Sequence, residues 1–133
     1  MLKKIFFLCL IFVVPLYSIE QEKLDEVIKF INSGKNDTAI EILKSNGGEN
    51  EILLAIAYLG KKDFDNAKIY ALNSYYKDSN NVVVNYILAQ IYEEKKEYEY
   101  AIQHWEKVFY KSTDKSIKML AKKHYEVLKM LKK

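Results

Sequence analysis

A chain of 133 residues, half of them hydrophobic and 14% aromatic, is long enough for one packed domain and too apolar to be a disordered one. Its net charge of +3 is too small to argue for nucleic acid, and it has no arginine for bidentate phosphate recognition. The single cysteine, Cys9, excludes an internal disulfide, while one proline and four glycines leave most of the chain free to be helical.

The first segment reads as an export signal. Lys3-Lys4 precedes an unbroken apolar run from Ile5 to Val14, Pro15 breaks it, and the chain turns polar at Glu20. That run is short of the roughly 20 residues a bilayer-spanning helix needs. Residues 1–18 are therefore expected to be a signal peptide cleaved after Ser18, which makes the mature protein periplasmic or secreted. An uncleaved N-terminal anchor is the alternative. Cys9 sits inside the apolar run behind Phe6-Phe7-Leu8, so it is not a lipid-attachment site.

Past the leader, Leu24, Val27, Ile28 and Ile31 fall at helical spacing, and Gly34 is placed to end that helix. Asn36 and Asp37 are candidate caps for a second helix, with Thr38 and Glu41 at capping-box spacing. That helix ends near Ser45, before the loop Asn46-Gly47-Gly48. Residues 19–47 thus form a helix pair. Further helices are expected over 50–61, 64–77, 82–95 and 97–111, with Asp63 capping the second of these four and Ser112-Thr113-Asp114 starting a last one. Ile117, Leu120, Ala121, Tyr125, Leu128 and Leu131 give that last helix its apolar stripe.

The middle of the chain is written twice. Leu54, Ala55, Tyr58, Phe64 and Ala67 recur 34 residues later as Leu88, Ala89, Tyr92, Tyr98 and Ala101. A period of about 34 residues is that of a stacked helix–turn–helix repeat. Ala39 precedes Ala67 by only 28 residues, so the first pair reads as a shortened, degenerate version. The organisation expected is a signal peptide at 1–18, a degenerate pair at 19–47, repeats at 48–81 and 82–115, and a basic capping helix at 116–133.

The matched residues resemble the tetratricopeptide repeat family. Its pattern has a leucine and a small residue in the first helix, an aromatic three residues on, then an aromatic before the second helix and an alanine three residues after it. Departures are Glu51 and Asn85 where an aromatic is usual, Lys62 and Lys96 at the usual glycine, and Ser79 and Thr113 at the closing proline. The resemblance implies an all-α, right-handed solenoid. It also implies a partner-binding surface on the first helix of each pair: Leu24, Ile28 and Ile31, then Ile52, Ile56 and Leu59, then Val83, Tyr86, Gln90 and Glu93. The Lys and Asn clamp by which some members hold a terminal carboxylate is absent from these positions. An apolar groove with an acidic edge instead suits an amphipathic or basic helix.

No catalytic constellation is visible. His104 and His124 lie 20 residues apart with no cysteine nearby, which does not make a metal site, and no glycine-rich phosphate loop occurs. No cofactor is expected. Residues 19–106 carry ten lysines against sixteen acids, whereas residues 107–133 carry nine lysines against two acids. The basic end reads either as a solvated helix face or as a contact for anionic headgroups or an acidic partner. The expectation is a non-enzymatic adaptor or scaffold of the cell envelope that binds a protein or peptide. The alternative is a self-association or membrane-surface module acting through the lysine-rich last helix.

Overall fold

The structure, a computed structural model, describes residues 21–48 and 50–132; the signal peptide assigned to 1–18 lies outside them. All regular structure among these residues is α-helical. α1 covers 21–32, followed by α2 (Asn36–Ser45), α3 (Glu51–Gly60), α4 (Phe64–Lys77), α5 (Val82–Glu94), α6 (Tyr98–Lys111) and α7 (Lys115–Leu131). Successive helices from α2 onward pack on one another, and α3 also packs on α5.

Three helix starts are fixed by side chains that accept an otherwise unpaired amide. Asp63 accepts from Asn66 N–H (3.2 Å), Asn81 from Val84 N–H (3.1 Å) and Asp114 from Ile117 N–H (3.0 Å). The start of α2 differs from expectation. Its cap position is Lys35, which makes no side-chain capping bond. Asn36, Asp37 and Thr38 already lie within the first turn, so neither the expected cap nor the capping box forms. Asn36 instead presses against the end of α3, where a Cβ on Gly60 would stand 2.7 Å from its Nδ2. Only glycine permits that approach.

Residues 34 apart occupy matching environments. Leu54 and Leu88 are fully buried, as are Ala55, Ala67, Ala89 and Ala101, while Tyr58 and Tyr92 are each 7% exposed. The alanines let the helices approach closely, and each buried leucine contributes roughly 1.5–3 kcal/mol through burial. Phe64 and Tyr98 are half-buried against the core. Tyr58 stacks on Tyr70 (5.6 Å, 7°) just as Tyr92 stacks on His104 (5.4 Å, 7°). A lysine from the preceding helix lies over each tyrosine: Lys44 over Tyr58 at 5.4 Å and Lys68 over Tyr92 at 4.5 Å.

The turns inside the pairs share one left-handed residue. It is Gly34 between α1 and α2 (φ 78°), Lys62 between α3 and α4 (φ 61°) and Lys96 between α5 and α6 (φ 59°). The amide after each donates five residues back: Lys35 to Phe30 (2.9 Å), Asp63 to Tyr58 (3.0 Å) and Glu97 to Tyr92 (2.8 Å). The left-handed residue itself donates three residues back, to Ile31, Leu59 and Glu93 respectively, and the two bonds together end each first helix. The lysines thus keep a glycine's backbone at a steric cost.

Candidate partner-binding groove

The structure spreads the expected binding residues over several settings. On α1, Leu24 and Ile31 are half-buried and Ile28 is exposed. On α3, Ile52, Ile56 and Leu59 are half-buried and pack on the core. On α5, Val83 is exposed near the helix start, whereas Tyr86, Gln90 and Glu93 are half-buried. Leu59, Gln90 and Glu93 come together. With Lys62, Phe64, Glu94 and His124 they line an open groove of about 250 Å3 where α3 and α5 end beside α7. Ile52, Ile56, Val83, Tyr86 and the α1 residues are not part of it.

Its chemistry is mixed rather than apolar. Leu59 and Phe64 supply apolar surface, Glu93 and Glu94 negative charge, and Lys62 positive charge. The carbonyl ends of two helices add partial negative charge there.

Glu93 is also committed internally. Its Oε2 accepts the Trp105 indole N–H at 2.9 Å, and His124 Nδ1 lies 2.9 Å from the same oxygen and 3.2 Å from Oε1. His124 stacks on Trp105 (4.5 Å, 24°), whose other contact is the edge of Tyr86 at 5.1 Å. One carboxylate therefore ties α5 to α6 and α7 while remaining about a third exposed to the groove. Sequence reasoning missed Trp105 and His124 as groove-building residues, because Trp105 has no aromatic counterpart 34 residues earlier, where Ala71 stands, and α7 lies outside the duplicated stretch.

A second polar cluster is buried behind α5. Asn85, 1% exposed, donates from Nδ2 to the carbonyls of Ser79 (2.9 Å) and Asn81 (2.8 Å). That orientation turns its Oδ1 towards His104 Nδ1 at 2.9 Å, so the imidazole must carry its hydrogen on Nδ1 and donate it. Tyr92 covers one face of the ring and Tyr75 meets it edge-on at 5.3 Å. Burial, aided by Lys107, pushes the His104 pKa down to about 4, leaving it neutral at ordinary pH. The cluster is enclosed and serves packing: Asn85 holds the α4–α5 connection.

Three lysines of the basic end are paired. Lys129 reaches Glu106, Lys132 reaches Glu99 at 2.5 Å, and Lys122 lies 3.8 Å from Glu126. Among the described residues no three His, Cys, Asp or Glu side chains gather closely enough for a metal ion, and no helix is long and apolar enough to cross a membrane. No family model, characterised protein or solved structure matches the chain.

Proposed function

We propose that this chain is a non-enzymatic, exported adaptor of tetratricopeptide type: a right-handed α-solenoid that holds a peptide or protein of the cell envelope along its first helices. The observation that carries this reading is the equivalence of the α3–α4 and α5–α6 pairs, which sets α3 and α5 side by side with Leu59, Gln90 and Glu93 opening onto one groove. At about 250 Å3 the groove falls below the roughly 300–1,000 Å3 typical of small-molecule sites. It suits one or two side chains of a longer ligand. Glu94 and the carbonyl ends of α3 and α5 favour a basic residue there, while Leu59 and Phe64 favour an apolar neighbour. A basic amphipathic helix carries both.

Photo-crosslinking residues placed at Leu59 and Gln90, in cells making the full chain, test the reading. Ile69, exposed on α4 at 55%, serves as the control position. Capture of the same protein from both groove positions and not from Ile69 is expected. Equal capture from all three positions, or none from any, would overturn the assignment.

A further inference from the structure

α7 is built like the first helix of a pair. Lys61, Lys95 and Lys132 stand at the C-terminal caps of α3, α5 and α7. Each pairs with an acid in the first turn of the preceding second helix: Asp37 of α2, Asp65 of α4 and Glu99 of α6. α3 and α5 are each followed by a helix that packs on them. Among the described residues none follows α7. The flank it turns away from α6 carries Met119, Leu120, Val127, Met130 and Leu131, between 38% and 66% exposed. So many large apolar side chains on one 17-residue helix form a patch rather than scattered surface positions.

The pattern on that flank indicates what covers it. At about 100° per residue, Met119, Lys123, Glu126 and Met130 fall within roughly 60° of one another. Their spacing of four, three and four residues reads the same from either end, with opposite charges about the middle. Two such helices laid antiparallel, with a twofold axis between residues 124 and 125, set each Met119 against the other copy's Met130. They also set each Lys123 against the other copy's Glu126. A parallel pair would oppose lysine to lysine. Two of the lysines that suggested a lipid surface, Lys129 and Lys132, fold back onto Glu106 and Glu99 of α6. Among the described residues Glu126 meets only Lys122, at 3.8 Å between exposed side chains, which is too weak to keep it from a second partner.

We propose that α7 is the contact for a second copy of this chain, docked antiparallel through Met119, Lys123, Glu126 and Met130 with Leu120 and Val127 at the edge. The association stands apart from the groove reading, because none of these six residues lines the groove. Met119 to Met130 spans about 16 Å, so the contact is smaller than the roughly 1,200 Å2 of a standard stable interface. The dimer is therefore expected to exchange readily, which calls for covalent trapping.

The test uses the full chain carrying Cys9→Ser. Met119→Cys with Met130→Cys should give a disulfide-linked dimer on oxidation, since the two cysteines of one chain lie too far apart to join each other. Either single substitution should give at least tenfold less dimer, because like positions lie about 16 Å apart in the antiparallel pair. Adding Lys123→Glu should cut the yield at least fivefold, and adding Glu126→Lys to that variant should restore it. Circular dichroism confirms that each variant remains helical. Single-cysteine variants that link as well as the double variant would overturn the proposal. So would a folded double variant that gives no dimer, or a yield indifferent to the charge reversal.

Discussion

Acidification should weaken this fold through one buried imidazole. His104 is 8% exposed and is neutral in the folded chain because burial, then Lys107, depresses its pKa from 6.5 to about 4. Between those values the unfolded chain binds a proton that the folded chain refuses. The stability contributed by the neutral ring is complete above pH 6.5 and is lost as pH falls towards 4. At about 1.36 kcal/mol per pKa unit, that drop corresponds to roughly 3 kcal/mol, a large part of the stability of a small domain.

The assay is urea unfolding followed by circular dichroism at several pH values between about 4 and 7.5, on the parent and on His104→Gln. Glutamine can still donate to Asn85 Oδ1 but does not titrate, so the difference between the two profiles isolates this group from every other titrating side chain. The variant is expected to be less stable near neutrality, where it fits the ring slot poorly, and to lose about 3 kcal/mol less than the parent on acidification. Parallel profiles, agreeing within about 0.5 kcal/mol, would refute the reasoning. They would mean that the site admits enough water to hold the imidazolium.

Other outcomes follow from the turns and the close helix contacts. Lys96, at φ 59°, should gain about 0.5 kcal/mol on substitution by glycine, since relief of the left-handed strain slightly outweighs glycine's greater freedom in the unfolded chain. Lys96→Val should instead cost about 1 kcal/mol or more, because branching at Cβ worsens the clash. Matched denaturation curves for the two variants would contradict the strain argument. Ala89, fully buried where α5 meets its neighbours, should cost roughly 1–3 kcal/mol when enlarged to leucine. An unchanged melting temperature would show that the helices are not in close contact there.

The sequence announced most of the helices and few of their long-range contacts. Residues such as Leu54, Ala67, Leu88 and Ala101 declare themselves because burial and small size are demanded at the same step of each pair, and a spacing of 34 exposes that demand. Asp63 and Asp114 were legible as caps because capping depends on only three or four consecutive residues. Asn36 shows the limit of such local patterns: its neighbours suit a cap, but α2 begins at Asn36 itself and its side chain packs against Gly60 on a different helix. The Glu93–Trp105–His124 cluster joins three helices and obeys no period. His104 could have been found, since it stands 34 residues after Tyr70 and takes over that residue's stacking on the pair's central tyrosine. A histidine among tyrosines does not advertise that equivalence.

Part of the uneven charge is answered inside the fold. Read as a sequence, an acidic body and a basic end invite an external partner of opposite sign. In the folded chain, Lys61 with Asp37, Lys95 with Asp65 and Lys132 with Glu99 repeat one contact three times, each fastening the end of a first helix to the start of the second helix before it. Each pair is exposed on at least one side and contributes little by itself. Their value lies in position. The acid sits where the helix amides favour negative charge, and the lysine sits where helix carbonyls favour positive charge, so both members are well placed before they meet. The alignment of two helix ends, rather than the strength of the ion pair, is what recurs. Because Lys132 continues the series onto α7, that helix is held in the stance of α3 and α5, and among the described residues its outer flank is left exposed by the same rule that orders the other helix pairs.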